Sequence, residues 1–104
     1  MTATLIYVTA SSEQEAHKIG GTVVAERLAA CANLLPGMTS MFWWEGRVQE
    51  DREVTIILKT RDDLVGRLTD RIRELHSYDC PCIVALPNIG GNKDCIDSII
   101  AETS

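Results

Sequence analysis

Aromatic residues are scarce in this chain, at 5% of 104 residues. Its core must therefore be mostly aliphatic. Basic residues are also in deficit: ten Lys and Arg face fifteen Asp and Glu, for a net charge of −5 and a pI near 4.9. Such a chain repels phosphate backbones, so nucleic acid is excluded as an expected partner, and metal ions or other cations suit it better. No stretch approaches the roughly 18 apolar residues of a membrane span, so no membrane partner is expected either. The start, Met1 to Val8, lacks a basic segment, and its apolar run is too short for a signal-peptide core. A cytoplasmic location is the resulting expectation. Three prolines and no low-complexity tract leave no linker, and no repeat of solenoid length occurs. A single domain over residues 1–104 follows. There is no Gly-rich phosphate loop, no His-Glu-x-x-His helix and no nucleophile elbow, and Gly90-Gly91 reads as a turn. With no acid–base or nucleophile constellation, a binding role is expected rather than an enzyme.

What is present alternates between strand and helix signals. Thr4 to Thr9 reads as a central strand through its unbroken run Leu5-Ile6-Tyr7-Val8. Ser12 and Glu15 have capping-box spacing, which predicts a helix from there to about Ala29 with Ala16, Ile19, Val23 and Leu28 inward. Gly20-Gly21 lies mid-helix, at a cost of about 1 kcal/mol each relative to alanine, and suggests close packing on the sheet. Cys31 to Trp43 reads as a strand with a bend or bulge at Pro36-Gly37, and Trp44-Glu45-Gly46 as a turn. Arg47 to Thr60 follows as a strand. Thr60 and Asp63 suggest a second capping box, opening a helix from Arg61 to about His76 with Leu64, Leu68, Ile72 and Leu75 on one face. Cys82 to Leu86 is a fourth strand, and Asn92 caps a last helix from Lys93 to Ala101. The order β-α-β-β-α-β plus a terminal helix is the split, ferredoxin-like α+β pattern, with a long central hairpin. Right-handed crossovers place both crossover helices on one sheet face.

That hairpin is long for its domain. Thirteen residues at about 3.3 Å span roughly 43 Å, whereas a domain of this size is hardly 35 Å across, given a radius of gyration of about 13 Å. The tip carries Met41, Phe42, Trp43 and Trp44. Either the strand folds back at Pro36 and buries these residues at home, or neighbouring copies cover them. The length favours assembly.

Glu26-Arg-Leu-Ala-Ala-Cys-Ala-Asn-Leu-Leu-Pro-Gly37, Ser40, Trp44-Glu-Gly-Arg47, Glu53, Leu58-Lys-Thr-Arg61, His76-Ser-Tyr78 and Ala85-Leu-Pro87 together resemble the CutA family of divalent-cation tolerance proteins. The resemblance runs from about Leu5 to Ile100. It implies a ferredoxin-like subunit in a homotrimer, with inter-subunit sheets made by the long hairpins, and a role in tolerance of copper and other divalent cations. The trimer of that family is similar in architecture to PII signalling proteins. An alternative reading is therefore a PII-like sensor of a small anion in inter-subunit clefts. The chain departs from the family pattern where Cys82 replaces a usual glutamate, and where Cys95 and Ser98 replace a tyrosine and a tryptophan.

Five residues are candidate metal ligands: Cys31, His76, Cys80, Cys82 and Cys95. Thiolates suit Cu(I), which prefers soft ligands, and free thiols are expected in a reducing cytosol. Strand alternation would point Cys80 and Cys82 the same way as a two-thiolate clip, and Cys95 would lie near Cys82 if the last helix packs beside the fourth strand. Against each stands a plainer role: Cys31 as a small buried residue, the others as neutral thiols, His76 as a cap at a helix C-terminus. Met38 and Met41 also offer sulfur, though Met beside aromatics more often packs. Trp44, Glu53, Lys59 and Tyr78 match family positions and form a candidate ligand cleft. There Lys59 holds an anion or, on the structural reading, pairs with Glu53 on the same sheet face.

Overall fold

The computed structural model describes all residues, 1–104. Strands β1 (Ala3–Ala10), β2 (Cys31–Trp44), β3 (Arg47–Arg61) and β4 (Ile83–Pro87) alternate with helices α1 (Glu13–Ala25), α2 (Val65–Leu75) and α3 (Lys93–Ala101). The four strands form one antiparallel sheet in the order β2-β3-β1-β4. This is the expected α+β, ferredoxin-like arrangement. β1 is central, and its alternate side chains face two different environments. Ile6, Val8 and Ala10 join Val54, Ile56 and Leu58 of β3 beneath α1 and α2, all at 5% exposure or less. The opposite face carries Leu5, Tyr7, Ile57 and Lys59, and α3 packs there against β1 and β3. It covers that face only in part: Leu35, Val84 and Leu86 stay exposed.

Helix α1 stops earlier than the periodicity predicts. Glu26 is its C-cap, and Arg27 takes a left-handed φ of 61°. The Leu28 N–H donates to the Val23 carbonyl and the Arg27 N–H to the Val24 carbonyl. That is a Schellman termination, with arginine where glycine usually sits. Leu28 is still buried, but beyond the helix. At the other end Ser12 caps as expected, its hydroxyl accepting from the Glu15 N–H at 3.1 Å; the Glu15 carboxylate, however, reaches Ser11 instead of closing the box on Ser12.

The second expected capping box does not form. The Thr60 hydroxyl is fully buried and donates to the Leu28 carbonyl at 2.7 Å, so it is spent on the tertiary fold. β3 runs on to Arg61, a short 3-10 turn covers Asp62–Leu64, and α2 begins only at Val65. Arg71 forks onto Glu26, Nε to Oε1 and Nη2 to Oε2 both at 2.9 Å, tying α2 to the end of α1.

Pro36-Gly37 sits in the predicted bulge. Leu35 pairs with Thr55 but Met38 with Glu53, so one extra residue lies on β2. The ribbon closes through Glu45 and Gly46, both at positive φ (51° and 75°), the signature of a two-residue hairpin turn. It does not fold back. The chain measures 44 × 25 × 23 Å, and Trp43 at the tip is 74% exposed.

The two helix glycines separate. A Cβ on Gly20 would meet Ala32 Cβ at 3.2 Å and Leu34 Cδ1 at 3.3 Å, so α1 lies close on β2 there; Gly21 has open space. Gly21→Ala should therefore stabilise by about 0.5–1 kcal/mol through helix propensity, and Gly20→Ala should gain less because β2 must yield. Urea midpoints at one protein concentration check this. An equal gain for both would show that the close approach costs nothing.

Candidate functional site

β4 ends its pairing with β1 at Val8 opposite Ile83. Beyond that point the connection from α2 to β4, residues 76–82, runs past the end of β1 and is fastened by three side chains. His76, the C-cap of α2, is buried at 9% exposure. Its Nε2–H donates to the Thr9 carbonyl at 2.7 Å, and its Nδ1 accepts the Tyr78 N–H at 3.1 Å. Both ring nitrogens are thereby spent, and His76 keeps no lone pair for a metal. The imidazole thus fastens the connection to β1 instead of to the carbonyls that end α2.

Tyr78 stacks at a tilt on that imidazole, ring centres 4.6 Å apart, and its hydroxyl donates to Glu53 Oε2 at 2.8 Å. Burial raises the Tyr78 phenol and the bond to Glu53 raises it further. For Glu53, burial acts upward, but the hydroxyls of Ser40, Tyr78 and Thr9 outweigh it and hold the carboxyl below its usual value. Of the four candidate cleft residues, Glu53 and Tyr78 are brought into direct contact. Trp44 is not: it lies at the hairpin tip, 59% exposed.

The third fastening is Glu15. Its Oε2 accepts the Ser77 N–H at 2.8 Å, and its Oε1 accepts the Ser11 N–H and hydroxyl at 3.0 Å each. Burial pushes this carboxyl up, but the bonds from Ser77 and Ser11 win and lower it from 4.5 to about 2. Local spacing marks Glu15 only as a capping residue, and its tie to the 76–82 connection has no signal in the sequence.

The thiols do not gather into one centre. All four cysteines are free, and no three His, Cys, Asp or Glu side chains converge on a point that could hold a metal ion. Cys80, Pro81 and Cys82 precede β4 and lie in the loop, so strand alternation does not orient the two thiols; both are exposed. α3 packs on β1 and β3 instead of beside β4, and Cys95 lines a cleft with Lys59. A lysine ammonium beside a thiol disfavours a cation there. Cys31 starts β2 directly opposite Lys59 and is half-buried, its Sγ 3.8 Å from Asn33 Oδ1. The five expected ligands thus resolve into one exposed pair and three separated residues. Lys59 makes no ion pair with Glu53, which is bound to Tyr78 instead. Met38 is used for packing: its sulfur accepts from the Thr55 hydroxyl at 2.7 Å and the Tyr7 hydroxyl at 3.5 Å. Met41 is exposed on the ribbon.

Comparison with known proteins places this geometry. A family model described as CutA1 divalent ion tolerance protein matches residues 4–102. The divalent-cation tolerance protein CutA of Pyrococcus horikoshii is 43% identical over 95% of this chain and 96% of its own length. The rice protein CutA 1, chloroplastic, is 43% identical over 85% of this chain, which spans about half (50%) of that relative's length. Among solved structures, CutA1 from Oryza sativa superposes with a TM-score of 0.97 at 38% identity, covering 100% of this chain and 95% of that one. The Thermus thermophilus divalent cation tolerance protein gives 0.96 at 39% identity, covering 98% and 99%.

Because the Glu15 carboxyl is depressed in the folded state, its stabilisation is complete above pH about 4.5 and is lost as pH falls toward 2. Glu15→Gln should unfold at lower urea than the parent near neutral pH, and the difference should vanish at pH about 2. A difference that persists undiminished in acid would refute the assignment.

Proposed function

The chain belongs to the CutA1 divalent ion tolerance family, and from that membership we propose that it serves divalent-cation tolerance by capturing soft metal ions, copper foremost, on surface thiols. The observation that carries the reading is the pair Cys80 and Cys82, two free, exposed thiols separated by a proline in one loop. Two thiolates suffice for a soft ion such as Cu(I), and a chain of net charge −5 attracts cations. Thiol ligation requires a reducing setting, so a cytoplasmic location is part of the proposal. The role is binding, not catalysis. Relatives bear divalent-cation tolerance names, which favours this reading over the PII-like signalling one.

The same proposal includes a homotrimer. At the ribbon tip Met41, Trp43, Trp44 and Val48 are all more than half exposed, and Leu35, Val84 and Leu86 add apolar surface on the partly covered sheet face. Apolar surface of this kind marks an interaction site. Sister copies offer complementary ribbons, which makes self-association the economical cover.

Titration with Cu(I) against a chromogenic chelator should show one ion per chain. Cys80→Ser combined with Cys82→Ser should weaken it tenfold or more, and Cys31→Ser should leave it unchanged. Binding that survives the double variant would overturn the thiol-pair reading. Sedimentation equilibrium at micromolar concentration should return three times the chain mass of 11.5 kDa, and Trp43→Glu should shift it toward the monomer. A parent protein that sediments as a monomer would sink the trimer.

A further inference from the structure

The cleft between α3, the 88–92 turn and the β1–β3 pair has no place in the metal-binding reading. It encloses about 200 Å³, below the roughly 300–1,000 Å³ of sites for drug-sized ligands, so only a small molecule fits. Its walls are largely apolar, with Leu5, Ile96 and Ile99 among them. One cation enters it. Lys59 is half-buried, and its ammonium makes no ion pair and no hydrogen bond within the chain. The ion pairs of the fold lie elsewhere, on Arg27, Arg61, Arg71 and Lys93. A partly desolvated ammonium without a counter-ion is costly and seeks an anion.

Two further features fit an anion. Asn88 and Asn92 each spend their side-chain oxygen locally, accepting from the Gly90 N–H at 3.4 Å and the Asp94 N–H at 3.1 Å, which leaves their amide NH₂ groups as donors. Gly91, at φ 144°, admits the cleft edge where a Cβ would meet Ile96 Cδ1 at 3.4 Å. A single lysine balances a single negative charge, so a monoanion suits the cleft better than a dianion such as phosphate. We propose that this cleft binds a small monocarboxylate, its carboxylate on Lys59 and its short hydrocarbon end against Leu5, Ile96 and Ile99. The site lies within one chain and stands whether or not Cys80 and Cys82 hold a metal.

Cys95 lines the same cleft and supplies a reporter. Iodoacetate and iodoacetamide both alkylate a thiolate, forming a C–S bond as iodide leaves, but only iodoacetate carries a carboxylate. On the intact protein, peptide mass spectrometry would compare the two reagents at Cys95 and at the exposed Cys80 and Cys82. The iodoacetate-to-iodoacetamide ratio at Cys95 should exceed that at the other two by about fivefold or more. The excess should disappear in Lys59→Met, persist in Lys59→Arg, and be suppressed by excess butyrate. Equal ratios at the three thiols, an excess that survives Lys59→Met, or a Cys95 that neither reagent reaches would each overturn the proposal. Protection by an acetylated dipeptide with a free C-terminus, and not by butyrate, would assign the cleft to a chain end and overturn the small-ligand reading.

Discussion

The obligation to satisfy the backbone of β1 organises much of this protein. A central strand must pair along both edges, because buried carbonyls left unpaired are costly. β3 supplies one edge from Ala3 to Ala10, but β4 reaches only as far as Val8. His76 takes up the next carbonyl, that of Thr9, with its ring. From that single substitution of imidazole for strand follow the position of Tyr78, the tie to Glu53 on the sheet's second face, and the anchoring of Ser77 by Glu15. The loop that carries Cys80 and Cys82 is thus held at its root and free at its thiols.

The division of charge across the sheet's second face has a chemical logic. Near the Thr9 end the face is acidic and richly hydrogen-bonded around Glu53. Near the Ala3 end it presents Lys59 between two thiols, Cys31 across the strand and Cys95 across the cleft. Cations and anions are therefore invited to opposite ends of the same surface, and cysteines appear in both settings without forming one centre.

Much of this was legible in the residues, and the failures have physical causes. Apolar runs and the amphipathic stripe Leu68-Ile72 disclosed the strands and α2, and Pro36-Gly37 disclosed the bulge. The end of α1 was hidden because Arg27 occupies a left-handed position that glycine would have announced. Thr60 looked like a cap because a hydroxyl's tertiary partner, here the Leu28 carbonyl, leaves no trace in local spacing. Ligation is hard to read from sequence for the same reason. Cysteine and histidine advertise ligation by type, whereas only the fold reveals that His76 is already bound on both nitrogens and that Cys95 faces a lysine. Glu15 was under-read because a carboxylate that serves a neighbouring loop looks like any helix-start glutamate.

The single extra residue on β2 also sets the phase of everything beyond it. Leu35 and Met38 share a face although three positions apart, so Met38, Ser40 and Phe42 turn inward while Thr39, Met41 and Trp43 turn out. Removing Gly37 would leave Leu35, Pro36 and Met38 in strict alternation with Met38 still opposite Glu53, so the distal faces would keep their places and only the local bend and twist of the ribbon would change. The kink can thus be lost without turning the tip over, whereas losing one residue between Met38 and Trp43 would exchange its two faces.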